Sequence, residues 1–528
     1  MHLDTSASAR ITKQLAAASK TATTTTLDHF PPLIVYKCLS GTDGRAALAE
    51  MTNTVPGVDS ETISMPRRGH GPRPVTVLSP IARARYTALV DILAPALPPS
   101  SRAPGNWANF RTFGTVGDHS HVVELDMASC YQFIDHATLR AELLLRSSDI
   151  DAITELVNLL SLAAERGRGL PQMVTPSDRL ADAYLELVGR ALARQGRMHY
   201  RYADDFRVLA SSWDEANETV ELAATIADGL GLILANHKTN IRLKKTVNKS
   251  ESARAAFLDE YLEGEDIETP PSPSGPYGRD DFEDEDEDGD GDGDGSSDPS
   301  HEGGDDQLDA DDDAVDELDP LATVYYRVLQ AWHVIFKAEA ERPQGMNSAL
   351  TASFRHVVGL DNRIDSKLLL DLVFDDPLRM EYVCRYVVDR TAADQGSDWQ
   401  WALIHELTLL GGRSPWSKLW ILFAIEGLIE HGLTPDARIE GWILGELDDG
   451  HEIVRAQVAW VASAYKELSL EQVRSLYASS STVSAPALAA VAGRIGSRKG
   501  VAKQLVDSLY AIRDDSYLNK AAFAWAQS

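Results

Sequence analysis

Tyr200-Arg201-Tyr202-Ala203-Asp204-Asp205-Phe206-Arg207-Val208-Leu209 is the stretch on which the fold turns. Two adjacent aspartates are flanked by aromatic and β-branched residues, a composition that suits two short strands joined by a tight turn. Neighbouring carboxylates repel, so a turn that carries both needs neutralising charge. A pair of Mg2+ ions supplies it, and two such ions clamp the attacking and leaving oxygens of a phosphoryl transfer. Taken alone, the dipeptide favours a blander reading as a polar turn.

A third carboxylate stands upstream, in Glu124-Leu125-Asp126-Met127-Ala128-Ser129-Cys130-Tyr131-Gln132-Phe133-Ile134-Asp135-His136. This segment reads as a buried strand ending at Asp126, followed by a tight turn that carries Tyr131. Asp135 is expected to cap a helix beginning at His136 or Ala137.

Around these two segments the pattern is mixed. Short apolar runs (Val75–Leu78, His121–Leu125, Phe206–Leu209, Leu232–Leu234) alternate with helical periodicity over Ile81–Leu97, Ala137–Arg146, Ile153–Glu165, Ser177–Gln195 and Asp214–Leu230. An α+β or α/β domain is implied.

The formal charge of −30 is concentrated: residues 259–320 hold 28 Asp or Glu against one basic residue, Arg279. The remainder is near neutral, so total charge does not exclude a nucleic-acid partner. That segment has too little apolar surface to offset its ordering entropy and is expected to be a disordered linker. Its Asp-Gly run is not a calcium loop. Counting twelve from Asp284, Asp286, Asp288 or Asp290 lands on Gly295, Ser297, Pro299 or His301, where the loop requires Glu.

Beyond the linker, helical segments follow one another. Gly411-Gly412-Arg413-Ser414-Pro415 and Gly432-Leu433-Thr434-Pro435 each predict a helix end at Gly and a new start with a Ser or Thr cap before Pro. Further breaks are expected near Asp449-Gly450, Ser469, Ser484–Pro486 and Ser497–Gly500, a spacing in the range of helical repeats. Eight of the ten tryptophans lie in this half, and Trp416, Trp420, Trp442 and Trp460 are expected in its core.

Three cysteines exclude a disulfide framework, and no Cys-x-x-Cys pair suggests zinc. The longest obvious apolar run, Leu419 to Ile425, is far short of the ~20 residues of a membrane span. The first residues lack the apolar stretch of a signal peptide. A reducing, cytoplasmic setting without membrane contact is expected, and the Ser/Thr/Ala-rich residues 1–26 read as a flexible tail.

The two aspartate segments resemble the palm motifs of reverse transcriptases, and the resemblance runs in family order through most of residues 60–245. Met65-Pro66-Arg67-Arg68-Gly69-His70-Gly71-Pro72-Arg73-Pro74-Val75 resembles the fingers segment, with Arg67 where Lys is commoner. Asp126–His136 is similar to the first palm motif. Gly169-Leu170-Pro171-Gln172, with Ser177 and Leu180-Ala181-Asp182, resembles the motif that lays a helix under the incoming nucleotide. Tyr202-Ala203-Asp204-Asp205 resembles the signature turn. Leu230-Gly231-Leu232, Asn236 and Lys238-Thr239 look like the motif that follows it.

The resemblance implies an RNA-directed DNA polymerase with two Mg2+ ions, held by Asp126, Asp204, Asp205 and the backbone carbonyl of Met127. It implies that Arg67 and Arg73 hold the triphosphate of a dNTP, that Gln172 lines the nucleotide site, and that Tyr131 is an aromatic gate against the ribose 2′-hydroxyl. Lys238 is implied as proton donor to the leaving pyrophosphate. Two positions depart from the family: Met173 stands where Gly is usual, and Asp182 where Asn is usual. Met173 puts ordinary template use in doubt.

The expected architecture is an α+β fingers–palm polymerase domain (residues 27–258), the acidic linker (259–320) and an all-α, solenoid-like helical-repeat domain (321–528). This layout resembles bacterial abortive-infection and defence-associated reverse transcriptases, which implies antiphage defence and DNA synthesis that is template-independent and protein-primed. The helical half is expected to take the place of the missing thumb. Expected partners are dNTPs and RNA or single-stranded DNA; the residues leave open whether the chain is a homo-oligomer. The alternative is a catalytically idle scaffold of the same fold that binds RNA or a phage protein.

Overall fold

The computed structural model describes residues 5–52, 58–164, 167–262, 320–340, 342–343, 345–360, 362–391, 398–411, 414–466, 468–498 and 503–528. The stretch 263–319, nearly all of the acidic linker, lies outside the described residues, as does the linker's expected disorder.

Two antiparallel sheets carry the first half. A hairpin of β1 (Ser60–Arg67) and β2 (His70–Leu78) pairs Ile63 with Val75 and Met65 with Arg73, then shifts register between Met65 and Arg67 before its tip. The second sheet has the order β4-β5-β3-β6, with β3 (His121–Asp126), β4 (His199–Tyr202), β5 (Asp205–Ala210) and β6 (Asn240–Leu243). Val122, Val123 and Leu125 of β3 are buried, as are Phe206 and Val208 of β5. Glu124 of β3 lies opposite Arg207 of β5, and their side chains pair at 2.7 Å.

Helices Pro80–Leu93, His136–Arg146, Ile150–Ala164, Thr175–Arg194 and Trp213–Gly229 belong to this half. Three start on side-chain caps: Ser79 accepts from the Ala82 N–H, Asp135 from Thr138 and Ser212 from Glu215. Asp135 is thus the cap expected of it, on a helix that begins at His136.

The structure differs from the sequence reading in three places here. Residues 5–24, expected as part of a flexible tail, form a helix whose Leu15, Ala18 and Ala22 are buried and which packs along Pro80–Leu93. Ser, Thr and Ala make up most of this helix, so its burial against Pro80–Leu93 leaves little apolar signal in the sequence. Leu232–Leu234 is not a strand: only Leu234 makes an isolated bridge, to Met127. The strands β1 and β6, rich in polar residues, have no apolar run that marks them, whereas β4 and β5 flank the Asp-Asp turn as expected.

The second half is helical throughout its described residues. Helices Met380–Thr391, Pro415–Glu430, Glu452–Tyr465, Ala485–Gly496 and Tyr517–Trp525 form a row in which each packs on the next. Trp416, Trp420 and Trp460 are buried and Trp442 is half-buried. Ser414 precedes Pro415 as expected, but its hydroxyl donates to the Ser64 carbonyl of β1 at 3.2 Å instead of capping the helix. After Gly432 the next helix begins at Ala437, not at Pro435. Its cap is Asp436, whose carboxylate accepts from the N–H groups of both Arg438 and Ile439. Asp ranks above Thr as a helix cap, and its charge suits the positive end of the helix.

The described residues divide into two compact units: residues 5–253 with 364–528, and residues 254–262 with 320–363. Within the first, the C-terminal helices are built onto the segment 27–65. The indole N–H groups of Trp416 and Trp420 both donate to the His29 carbonyl, at 2.7 and 3.0 Å. Glu61 of β1 accepts from the N–H groups of Glu452 and Ile453, capping that helix from outside it. Gln457 accepts from the Ile34 N–H, and Lys37 pairs with Glu426. In the second unit, Tyr325 stacks on His356 with ring centroids 4.3 Å apart. No helix among the described residues is long and apolar enough to cross a membrane.

Candidate active site

Tyr202 pairs with Asp205, so Ala203 and Asp204 form a two-residue hairpin turn between β4 and β5. Ala203 takes φ +54°, the left-handed conformation that glycine adopts most easily. The turn puts Asp204 beside Asp205, and the β3–β5 register puts Asp126 directly across from Asp205. One carboxylate oxygen of each of the three lies within 4.8 Å of the other two.

The electrostatics follow from that crowding. Burial first, and then the charge of Asp204, raise the carboxyl of Asp126 above its usual range; Lys238 and His237 oppose the rise. Asp205 is pushed up further by burial, Asp204 and Asp126. Such a cluster is costly without a cation. Hard carboxylate oxygens at this spacing fit Mg2+, which prefers oxygen ligands and bridges two carboxylates readily. The Met127 carbonyl, next in the chain after Asp126, accepts from the Cys130 N–H at 3.2 Å, which uses one of its two lone pairs.

Lys238 comes to this cluster through the 3-10 turn Asn236–Lys238, which follows Ala235. The Ala235 N–H donates to the Asp126 carbonyl at 2.9 Å, pinning the turn to the end of β3.

Tyr131 is buried, at 6% exposure, in the short helix Cys130–Phe133 that follows β3. Its hydroxyl donates to Asp178 Oδ1 at 2.6 Å and accepts from Arg102 at 3.3 Å. Burial raises the phenol well above its usual range, so the hydroxyl stays a donor.

Arg67 and Arg73 sit on the β1–β2 hairpin, and among the described residues neither makes an ion pair; the Arg67 Nε is buried without a hydrogen-bond partner. Arg68, between them, reaches Asp375 at 3.6 Å. Gln172 is buried and donates its amide N–H to the Pro74 carbonyl at 3.3 Å, beside Arg73. The next residue, Met173, adopts φ +64° with its side chain fully buried, and its carbonyl accepts from the Asp28 N–H at 3.2 Å. The methionine therefore holds the backbone conformation that the usual glycine would take without strain.

Residues 65–258 match the family model described as reverse transcriptase (RNA-dependent DNA polymerase). That segment is a reverse transcriptase domain. The match indicates an RNA-directed DNA polymerase, a nucleotidyltransferase, and the family implies nucleotide substrates and a nucleic-acid template. No curated protein matches the chain.

Four polar residues of the reverse transcriptase domain escaped the sequence reading. Ser101 and Arg201 hold the Ala203–Asp204 turn, and Arg102 and Asp178 hold Tyr131. Asp178 did carry a signal: it lies four residues before Asp182, and both face inward on a helix whose buried face is mostly apolar.

Proposed function

We propose that this chain is a Mg2+-dependent DNA polymerase of the reverse transcriptase type that serves antiphage defence in the cytoplasm, extending a hydroxyl of the protein itself without a template. The observation that carries the polymerase reading is the three-carboxylate cluster at the end of β3 and in the β4–β5 turn. The order of a polymerase domain followed by a row of helices supports the defence reading and its helical-repeat, solenoid-like description. Met173, which stands where the family usually has Gly after Leu-Pro-Gln, supports synthesis without a template.

Two Mg2+ ions, held by Asp126, Asp204, Asp205 and the Met127 carbonyl, would supply charge neutralisation and in-line orientation. The chain's own groups do the rest. Arg67 and Arg73 bind the triphosphate, and guanidinium suits phosphate bidentately. Tyr131 excludes the 2′-hydroxyl. The attacking hydroxyl oxygen bonds to the α-phosphorus while the bond from that phosphorus to the bridging oxygen of pyrophosphate breaks. The hydroxyl proton passes to solvent, and Lys238 gives a proton to the departing pyrophosphate. Catalysis comes from positioning and preorganised charge.

Incubating the purified chain with each labelled dNTP and NTP, with and without template and primer, tests this. Template-free growth of DNA covalently attached to the protein is the expected result. Strict dependence on added template and primer would contradict the priming reading, and no incorporation at all would favour an idle scaffold.

A further inference from the structure

Asp178 and Asp182 lie one helical turn apart on Thr175–Arg194, and both are buried, at 5% and 3% exposure. A buried carboxylate is retained only where its charge is engaged. Their partners differ. Asp178 accepts from the hydroxyl of Tyr131 at 2.6 Å, with Arg102 on the same hydroxyl. Asp182 accepts from the Ser101 N–H at 3.1 Å, the Ser101 hydroxyl at 2.5 Å and Arg201 at 2.9 Å.

Those two partners of Asp182 close on a single residue. Ser101 Oγ accepts from the Ala203 N–H at 3.2 Å, and the Arg201 guanidinium donates to the Ala203 carbonyl at 2.8 Å. Both peptide groups of Ala203 are thus gripped, one from each side. Ala203 is the turn residue with positive φ, immediately before Asp204. A non-glycine residue is held there only if its surroundings fix it.

We infer that this one helix carries two separate positioning residues: Asp178 sets the sugar gate through the Tyr131 hydroxyl, and Asp182 sets the metal-binding turn through Ser101 and Arg201. The inference rests on the polymerase reading for its meaning in catalysis. Its two halves, however, make opposite predictions for two independent readouts. Sugar selection depends on where the Tyr131 ring stands. Cation affinity depends on where Asp204 stands relative to Asp126 and Asp205.

The test uses the full chain with Asp178→Asn, Tyr131→Phe, Asp182→Asn and Ser101→Ala. Thermal melts confirm folding, and the Tyr131 and Ser101 variants keep the test decisive if a buried Asp variant unfolds. Mn2+ binding is titrated by electron paramagnetic resonance of the free ion, without substrate, and the rNTP/dNTP ratio of kcat/KM is measured separately. Asp178→Asn and Tyr131→Phe should each raise the rNTP/dNTP ratio about tenfold, as expected for loss of a hydrogen bond to a charged group. Together they should do no more than either alone, and Mn2+ affinity should stay within about twofold. Asp182→Asn and Ser101→Ala should weaken Mn2+ binding by about threefold to thirtyfold, with the sugar ratio within about twofold. An inert wild type would sink the polymerase reading, while the Mn2+ titration would still decide the Asp182 half. Equal changes in both readouts for both pairs, or no change in either, would overturn the inference and reduce the two aspartates to general supports of the helix.

Discussion

Asp126 and Asp205 stand directly opposite each other in the antiparallel pairing of β3 and β5, so the sheet register itself brings the first palm segment to the signature turn. A shift of one residue in that register would turn every β3 side chain to the other face. Val123 and Leu125, buried together on one face of β3, oppose such a shift, which ties the geometry of the aspartate cluster to the apolar core beneath it.

Tyr131→Ala is expected to raise ribonucleotide use relative to deoxyribonucleotide. Steric exclusion of one hydroxyl is commonly worth about two orders of magnitude. Single-nucleotide incorporation with matched dNTP and rNTP series measures it, and an unchanged ratio would remove Tyr131 from the gate.

Met173→Gly sets two effects against each other. Glycine relieves the left-handed backbone, worth roughly 1–2 kcal/mol. It also empties a fully buried side-chain site, and such truncations cost about 2–5 kcal/mol. The cavity should win, so the variant should unfold at lower denaturant concentration than the wild type. Chemical denaturation checks this, and a more stable variant would show that strain dominates.

Asp28 gives a signed pH dependence. Burial first, and then Asp178, lift its carboxyl from 3.8 to about 8 in the fold. The folded state then holds a proton that the unfolded chain releases near pH 4. The stability this proton contributes is fully present below pH 4 and is lost as pH rises to about 8. Asp28→Asn carries no such loss. Its melting temperature relative to wild type should climb between pH 5 and pH 8, by roughly a few degrees. A constant difference across that range would contradict the half-buried, protonated Asp28.

Glu61→Ala should destabilise the chain by about 1–2 kcal/mol, because two helix N–H groups at Glu452 and Ile453 lose their acceptor. Burial also raises the Glu61 carboxyl, opposed by those same two bonds. Denaturant unfolding of wild type and variant gives the difference. A value near zero would mean that water replaces the cap and that the hairpin does not depend on the C-terminal helices.

Most of what the sequence revealed was periodic or contiguous. β3 and β5 announce themselves as apolar runs, and the Asp pair sits between strand-formers, so the turn and its third carboxylate were legible together. What stayed hidden depends on contacts between distant segments. Ser101 lies about a hundred residues from the Ala203 peptide it holds, in a loop with no pattern of its own. His29 looks like any histidine before a proline pair, yet its carbonyl receives two indoles from nearly four hundred residues away. The cap at Asp436 was missed because Thr434-Pro435 offers the commoner signal two residues earlier, and only the packed structure selects the carboxylate.

Asp126, Asp204 and Asp205 are proposed as the catalytic cation site, and replacing two of them tests that assignment. Full-length wild type, Asp126→Asn and Asp204→Asn are compared for incorporation of labelled dNTP in Mg2+, with thermal melts run alongside. Each substitution removes a ligand charge, and loss of a metal clamp is worth several kcal/mol of barrier. Incorporation should fall by roughly a thousandfold or more in both variants while their melting transitions remain cooperative. Wild-type rates in both folded variants would contradict the assignment.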